Sequence, residues 1–353
     1  MQDEHAKSAK AAPTASRSRP ATINDVAQLA GVSVGTVSNV LNNRSTVSAA
    51  RKDRVLRAID QLGFSGSMLA RGMRGQSNSL VGLCVPHTGF ANLAALADTL
   101  DERSVDANYE LIQVLSRYDS KRELSRIRRL IAYRAAGLII VPGLDPLPVL
   151  NHIYSAKLPT VIINRLVADE RRFDQVTINH EKAIIEVAQH LLEHGHRSIA
   201  LAVQFPALSV TRQRLDGLSR TVESFGKGAA WSTIECGLDR ERFHAIFTQA
   251  VRSETKPSAV IASNSTLASW ILQSLRALDM SYPQDISLVC LEDPEWATLV
   301  HPQVTCVQQP TREIGRIAWD LLMNRIAGKG EEPVVIRCDG RLNLRSSVAA
   351  PPS

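Results

Sequence analysis

The 353-residue sequence lacks the features of membrane, secreted and disulfide-rich proteins. No uninterrupted apolar run reaches the roughly 18 residues of a membrane-spanning helix, and no apolar segment follows the basic N-terminus as it would in a secretory signal. Cysteines number five, an odd count, and no pair has the C-x-x-C spacing of a zinc or redox site. We therefore expect a cytoplasmic protein whose thiols are buried and reduced.

Signatures of enzymes and metal sites are also missing. The sequence has no phosphate-binding loop of the G-x-x-x-x-G-K-[ST] type and no dinucleotide-binding G-x-G-x-x-G fingerprint. His190 and His194 lie four residues apart, but the H-E-x-x-H pattern of a helical zinc site does not accompany them. The sequence therefore predicts no catalysis, no metal site and no cofactor.

The positive charge of the chain is concentrated at one end. Residues 1–75 contain 11 lysine and arginine residues against 5 acidic ones, whereas the rest of the chain contains 30 of each sign. A local basic excess beside a helical pattern is typical of a surface that binds nucleic-acid phosphates. From charge alone, a solubilising tail is an equally good explanation.

Composition divides the chain into five segments. Residues 1–20 predict a disordered basic arm, residues 21–64 contain three short helical patterns, and residues 65–75 form a glycine-bearing basic linker. Residues 76–345 alternate apolar runs with amphipathic stretches, and residues 346–353 predict a disordered tail. The runs expected to form strands are 80–86, 109–115, 137–142, 160–164, 198–203, 259–263 and 286–291.

Strand–helix alternation over residues 76–345 predicts parallel sheets with helices on both faces. Such sheets bind ligands outside the carboxyl ends of their strands. Roughly 270 residues exceed one ordinary core, so we expect two lobes with a cleft between them.

Residues 21–43, ATINDVAQLAGVSVGTVSNVLNN, have the pattern of two short helices across a glycine turn. Thr22 is placed to cap the first helix, Gly31 to make the turn, and Ser33 to cap a second helix over Val34–Leu41. A third helix, at about residues 48–62, closes the small core. This pattern predicts a helix-turn-helix, whose second helix presents small or polar residues to the major groove. An ordinary αα-hairpin is the alternative.

The same stretch, T-I-x-D-V-A-x-L-A-G-V-S-x-x-T-V-S-x-V-L-N, resembles the signature of the lac-repressor (LacI/GalR) family. Likeness continues at residues 69–74, which resemble the family's hinge helix, and at residues 136–140, 195–200 and 302–310. The resemblance implies an N-terminal all-α helix-turn-helix head followed by a two-lobed, periplasmic-binding-protein-like α/β domain with parallel sheets flanked by helices. It also implies a homodimer on a near-palindromic operator, controlled allosterically by a small molecule.

The resemblance also implies where the protein meets DNA. It assigns base reading to Val34, Gly35 and Asn39 of the second helix, of which Asn39 can pair with an adenine edge. The hinge would insert Met73 into the minor groove. A linker that never orders is the alternative for this segment. The complete set of expected DNA contacts is Thr22, Ser33, Val34, Gly35, Thr36, Ser38, Asn39, Arg71, Met73 and Arg74.

For the effector cleft, the resemblance implies a set that comprises Phe90, Arg165, Asn179, His180, Arg214, Asn264, Ser265 and Glu292. Two positions depart from the family pattern, because Asn179-His180 stand where Asp-Asn is usual and Asn264-Ser265 where Asn-Asp is usual. The cleft therefore lacks two carboxylates that suit sugar hydroxyls. One hypothesis is an acidic or phosphorylated effector. The other is an ordinary sugar whose missing acceptors are supplied by Glu292 or Asp293.

Taken together, the sequence predicts a cytoplasmic, nucleoid-associated transcription regulator, most simply a repressor, whose partners are operator DNA, a carbohydrate or sugar acid, and a second copy of itself. A solute-binding protein without DNA activity would have an export signal and no helix-turn-helix. An α/β enzyme fused to a DNA-binding head would have a catalytic constellation. Both induction and corepression remain open.

Overall fold

The computed structural model describes residues 21–41, 47–62, 64, 79–87, 91–330 and 332–351. The chain forms two compact units, Met1–Gln76 and Ser77–Ser353. The predicted arm at 1–20 and linker at 65–75 lie outside the described residues. None of the helices within the described ranges is long and apolar enough to cross a bilayer.

The described part of the N-terminal unit contains three helices: α1 (Ile23–Ala30), α2 (Val34–Leu41) and α3 (Ala49–Leu62). Their contact is apolar, and Val26, Val37 and Val55, one from each helix, are completely buried. Apolar residues recur every three or four positions, which gives each helix one inward face. The three predicted helices are confirmed, although the apolar side chain of Leu29 is 45% exposed.

The first lobe of the C-terminal unit is built on a fully parallel sheet in the order β11-β5-β4-β3-β1-β2. Its strands are β1 (Leu80–Val85), β2 (Glu110–Leu115), β3 (Gly137–Ile140), β4 (Thr160–Ile163), β5 (Asp174–Ile178) and β11 (Val335–Cys338). Its helices are α4 (Ala91–Asp106), α5 (Ser120–Ala132), α6 (Leu147–Ser155) and α11 (Thr311–Ile326).

The second lobe has the strand order β12-β10-β9-β8-β6-β7, with β12 antiparallel to β10 and the other pairs parallel. Its strands are β6 (Ser198–Val203), β7 (Ala230–Glu235), β8 (Ala259–Ala262), β9 (Ser287–Cys290), β10 (Thr305–Gln308) and β12 (Arg341–Asn343). Its helices are α7 (His180–Glu193), α8 (Ser209–Phe225), α9 (Arg240–Val251) and α10 (Ser265–Ala277), with a short 3-10 helix at Glu295–Thr298.

Helices cover both faces of each sheet, which explains why the central strands have near-continuous apolar sequences. All six residues of β1 are buried, as are all four of β3, β4 and β8. Each sheet separates two apolar clusters, one on either face. This architecture confirms the predicted two-lobed α/β domain.

The chain crosses between the lobes three times. It leaves the first lobe between β5 and α7, returns between β10 and α11, and crosses again between β11 and β12. The first lobe is therefore completed by α11 and β11, which come late in the sequence. Because of these crossings, the carboxyl ends of strands from both sheets meet at the junction of the lobes.

The predicted disordered tail differs from the structure over residues 346–351. Ser347 is completely buried, and its hydroxyl accepts from the Thr305 N–H at 2.8 Å and donates to the Leu288 carbonyl at 2.5 Å. The Ala349 N–H donates to the Ser287 hydroxyl at 3.1 Å. A small polar sequence thus packs against β9 and β10 because its hydroxyls satisfy their backbone groups.

The five cysteines are all free and buried, which confirms the expectation of buried thiols. Burial raises the pKa of the Cys236 thiol to about 11. This thiol is therefore protonated at neutral pH and behaves as a small apolar side chain.

Candidate functional sites

Helix α1 begins at a reciprocal cap between Thr22 and Asp25. The Thr22 N–H and hydroxyl both donate to the Asp25 carboxylate at 2.7 Å, and the Asp25 N–H donates back to the Thr22 hydroxyl at 3.4 Å. This capping box satisfies amides that the first turn leaves unpaired. Thr22 therefore fixes where α1 starts, and its contact with a DNA phosphate stays a prediction.

The turn between α1 and α2 requires a left-handed residue, and Gly31 supplies it with φ of 62°. Its N–H donates to the carbonyls of Ala27 and Gln28, which ends α1. Two residues later the Ser33 hydroxyl accepts from the Thr36 N–H at 3.2 Å, and the two hydroxyl oxygens lie 2.9 Å apart. Ser33 thus begins α2 as the sequence predicted.

Helix α2 has one face in the core and one face of small side chains. Val37 and Val40 are buried, whereas Val34 is 41% exposed and Gly35 is exposed. A Cβ on Gly35 would meet only the Ser33 Oγ at 3.7 Å, so the fold does not require glycine there. Because Gly35 has no side chain, the surface at the start of α2 is flat.

The remaining predicted residues of α2, Thr36, Ser38 and Asn39, are half-exposed. The first turn of α2 has no acidic residue, so its amide end keeps the partial positive charge that attracts phosphates. Arg51 and Arg54 of α3 are exposed in the same unit. The head therefore presents a helix that is narrow enough for a groove, together with basic side chains for the DNA backbone.

Arg71, Met73 and Arg74 of the predicted hinge, and Phe90 of the predicted cleft, lie outside the described residues. Their roles stay predictions.

A cavity lies where the carboxyl ends of strands from both sheets meet, the position expected for parallel sheets. About 630 Å³ of it, counting the part open to solvent, is free of protein atoms. We call it the cleft. Its polar and aromatic lining residues are Asn92, Tyr118, Asn164, Arg165, His180, Gln204, Phe205, Thr211, Arg214, Ser263, Asn264, Glu292 and Gln309.

Arg214 and His180 form a buried pair in the second lobe's wall of the cleft. The Arg214 guanidinium donates to the Ser263 carbonyl at 3.0 Å and to His180 Nδ1 at 3.2 Å. Since Nδ1 accepts, the ring proton of the neutral histidine belongs on Nε2, which lies 3.5 Å from the Asn164 carbonyl. Burial, and then the charges of Arg214 and Arg165, hold the pKa of His180 well below its usual value.

Arg165 follows β4 and belongs to the first lobe's wall. Its guanidinium donates to the Pro142 carbonyl at 2.5 Å and lies over the Tyr118 ring, 5.2 Å from the ring centroid. Tyr118 in turn meets Phe205 of the other lobe, with ring centroids 4.9 Å apart. Burial lowers the pKa of Arg165 and raises that of Tyr118, which leaves the first charged and the second neutral at physiological pH.

Glu292 is held at the start of α10. Its Oε2 accepts from the Ser265 N–H at 2.9 Å and from the Ser265 hydroxyl at 2.8 Å. Asn264 caps the same helix by accepting from the Leu267 N–H, and its amide donates to Gln204 at 3.2 Å. Burial raises the pKa of Glu292, while the bonds from Ser265 and the charge of Arg214 act in the opposite direction.

The structure brings five of the predicted effector residues into the cleft lining: Arg165, His180, Arg214, Asn264 and Glu292. Two predicted residues are not in the lining. Asn179 caps α7 and donates to Asp339 at 3.0 Å. Ser265 donates to Glu292, which does line the cleft. Asp293, named with Glu292 as a substitute acceptor, is instead paired with Arg345 at 2.7 Å.

Sequence reasoning missed Tyr118, Gln204, Phe205 and Gln309. Gln204 and Phe205 directly follow β6, Gln309 directly follows β10, and Tyr118 lies three residues beyond β2. The position of these four residues just after a strand could therefore have predicted that they line the cleft. Gln309 also links the lobes, because it donates to the Leu291 carbonyl at 2.8 Å and accepts from Asn92 at 3.0 Å.

Comparison with known proteins agrees with both parts of this description. The family model of bacterial regulatory proteins of the lacI family matches residues 22–67, and that of the periplasmic binding protein-like domain matches residues 188–348. The chain is similar to the lacI family. Its matched head contains α1, the Gly31 turn, α2 and α3, and its second match contains most of the second lobe.

Several curated relatives are similar to this chain over nearly their whole length. An HTH-type transcriptional repressor PurR from Vibrio atlanticus is 27% identical over 331 residues, which cover 93% of this chain and 98% of the relative. The probable HTH-type transcriptional regulator EndR of Paenibacillus polymyxa is also 27% identical, over 336 residues with the same coverage. Catabolite control protein A of Priestia megaterium is 24% identical over 328 residues, covering 92% and 98%.

Solved structures confirm the predicted fold class. The lac repressor dimer bound to operator and the anti-inducer ONPF has a TM-score of 0.80 at 22% identity, covering 94% of this chain and all of that one. A lacI-family regulator from Silicibacter pomeroyi has a TM-score of 0.81 at 23% identity, with the same coverage. The regulator CelR in complex with cellobiose has a TM-score of 0.69 at 24% identity, covering 93% and 99%.

Proposed function

We propose that this protein is a sequence-specific DNA-binding transcription regulator that binds a near-palindromic operator as a dimer and is controlled by a small metabolite in the cleft. The observation that carries the proposal is the outer face of α2. It is formed by Val34 and Gly35 at the start and Asn39 in the last turn of a helix without acidic residues. Relatives named as transcriptional repressors and regulators support the same function.

Specificity in this proposal comes from few contacts. Asn39 pairs with an adenine edge, a contact that contributes about 1–3 kcal/mol of discrimination. Val34 adds apolar contact with a thymine methyl group, and Gly35 allows close approach of the helix. Most of the affinity therefore comes from phosphate contacts, including the amide end of α2, so that binding weakens steeply with salt.

A dimer is part of the proposal because one head covers only half a site. The predicted hinge, with Arg71, Met73 and Arg74, would fold on the operator and open its minor groove. The lac repressor, which has the same fold, was solved as a dimer bound to its operator, and this supports the same arrangement here.

Control by the cleft follows from its position between the lobes. A ligand that contacts both walls favours the arrangement in which they are close, and regulation requires only that DNA binding favours one arrangement over the other. Either effect of the ligand, lower or higher affinity for the operator, is compatible with this mode of control.

We also propose that the cleft binds its ligand without converting it, and that the protein acts in the cytoplasm with the nucleoid DNA. Among the described lining residues the histidine is held by Arg214 and the carboxylate by Ser265. The Ser265 hydroxyl, which donates to this carboxylate, is not part of the described lining. Recovery of unchanged ligand after prolonged incubation with the protein would support the first statement, and turnover would contradict it.

The test is selection of DNA by the purified full-length protein from random duplexes, with and without a small-molecule filtrate of cells. We expect an inverted repeat whose affinity falls steeply between 50 and 200 mM salt, on the order of 10³-fold if about six phosphates are contacted. Asn39→Ala should relax the sequence preference at one position of each half-site. Gln61→Ala, on the exposed side of α3, is the matched control. Failure to select any inverted repeat under either condition would refute the proposal.

A further inference from the structure

The two most buried arginines of the described chain, Arg165 and Arg214, have no carboxylate partner. They are 8% and 7% exposed, and neither forms an ion pair with any described residue. Less buried arginines of the same unit are paired: Arg325 with Asp174 and Arg345 with Asp293, each at 2.7 Å. Glu123 and Glu292 act on Arg165 and Arg214 only through longer-range electrostatic interactions, so each guanidinium lacks the direct anionic partner that buried charges usually have.

The contacts that the two guanidiniums make are with neutral groups. Arg165 donates to the Pro142 carbonyl and lies over the Tyr118 ring, and Arg214 donates to the Ser263 carbonyl and to His180. A guanidinium has five N–H donors, so each retains capacity beyond these bonds. Both side chains line the cleft, where a ligand can reach them.

No other side chain of the described lining fully offsets the positive charge of Arg165 and Arg214. Glu292 is the one carboxylate among the described lining residues, and its Oε2 already accepts both bonds from Ser265. His180 adds no negative charge and, being an acceptor at Nδ1, is neutral. Two arginines against one glutamate leave the described lining with a net positive charge.

We propose that the effector carries an anionic oxygen group, a carboxylate or a phosphate, that is bound by Arg165 from the first lobe and Arg214 from the second. This inference rests on the proposed function of the cleft and names the class of its ligand. Hydroxyl groups elsewhere on the ligand donate to the amide oxygens of the lining. A guanidinium binds a carboxylate or phosphate through paired, charge-assisted hydrogen bonds, which makes it a specific receptor for such a group.

The proposal also gives the ligand a way to act. Since the two arginines belong to different lobes, an anion held by both joins the walls of the cleft, whereas a neutral sugar held by one wall does not. Without the anion, two like charges face the same cavity and favour separation of the walls. Binding of the charged group is therefore the step that couples to lobe closure.

Thermal unfolding of the full-length protein tests the charge requirement without knowledge of the whole ligand. Sodium phosphate, sodium acetate and sodium chloride are compared at equal ionic strength, together with the set glucose, gluconate and glucose 6-phosphate. We expect a saturable rise in Tm of about 5 °C with at least one anion at high occupancy, and none with chloride or glucose. The phosphate and carboxylate members of each set distinguish the two kinds of anion.

Variants separate a specific site from general ion effects. Arg165→Met and Arg214→Met should each abolish the rise in Tm. Arg128→Gln, at an exposed position of α5, should leave the rise unchanged. If a methionine variant does not fold, the corresponding lysine variant, which keeps the charge but loses the paired geometry, should show a reduced rise.

Glu292→Gln gives opposite outcomes for the two ligand classes. It removes the like charge that an anionic ligand meets, so anion affinity measured by calorimetry should increase several-fold, whereas a neutral sugar that donates to Glu292 should bind more weakly. Equal response of the arginine variants and the unmodified protein, or stabilisation by glucose alone, would overturn the inference. The readout is independent of DNA, so loss of operator selection with intact anion binding would refute the proposed function and leave this inference standing.

Discussion

Replacement of Glu123 by glutamine should stabilise the protein at alkaline pH and leave it unchanged in acid. Glu123, on α5, is completely buried, and its carboxylate accepts from the Gly143 N–H at 3.0 Å. Burial raises its pKa from 4.5 to about 7, against the lowering effects of that hydrogen bond and of the Arg165 charge. The folded protein therefore binds a proton at this site more tightly than the unfolded chain does.

The sign and size of the effect follow from linkage. Below pH 4.5 the Glu123 carboxyl is protonated in both the folded and the unfolded protein, so it does not lower the free energy of unfolding. As the pH rises to 7, only the unfolded chain releases the proton readily, so the free energy of unfolding falls, and above 7 the penalty is constant. A shift from 4.5 to about 7 corresponds to roughly 3 kcal/mol, which is an upper estimate for one buried group.

Glutamine removes this penalty while its amide oxygen still accepts from Gly143. The site is tight, because a Cβ on Gly143 would lie 2.6 Å from the Glu123 carboxylate, so the isosteric replacement is the appropriate one. Urea unfolding of Glu123→Gln and of the unmodified protein should be compared at pH 5 and pH 8, with the exposed Glu110→Gln as control. A stability difference that is the same at both pH values, or a glutamine variant that is less stable at pH 8, would refute the reasoning.

Three further predictions concern other parts of the chain. Thr22→Ala should remove the capping box and about 1 kcal/mol of stability from the head, seen as faster hydrogen exchange of the α1 amides, while Thr22→Ser should not. Tyr118→Ala should weaken effector binding measured by calorimetry by about tenfold, because the ring packs against both Arg165 and Phe205, and Tyr118→Phe should lose less. Ser347→Ala should lower the free energy of unfolding by about 1–3 kcal/mol, since it removes the side-chain partner of a buried N–H and a buried carbonyl, and an unchanged Tm would contradict the packed tail.

Much of the fold was accessible from the sequence because the central strands are almost purely apolar. Strands β1, β3, β4, β6, β8 and β9 lie within the runs predicted for them, and β2 lies within the run at 109–115. β5 escaped prediction because it begins with Asp174 and Gln175, both buried. Asp174 is paired with Arg325, which is 151 residues away in the sequence, and no local pattern shows such a partner. β7 is an edge strand of alternating burial.

The cleft was predictable in part for a similar reason. Resemblance located Arg165, Arg214 and Asn264, and Glu292 and Asp293 were named as substitute acceptors. Asp293 is paired with Arg345, whereas Glu292 lines the cleft. Such a distinction between neighbouring carboxylates depends on long-range pairing, so the sequence left both as candidate acceptors.

The three connections between the lobes restrict how the protein can respond to a ligand. A single connection would act as a swivel and permit motion in many directions. Three connections, after β5, after β10 and after β11, leave little besides bending about a line that passes through them. The Gln309 side chain, bonded to Leu291 and Asn92, lies beside the second of these connections and ties the lobes together at that point. We therefore expect ligand binding in the cleft to produce one defined rotation of the lobes, and ligands of different chemical structure could produce the same rotation.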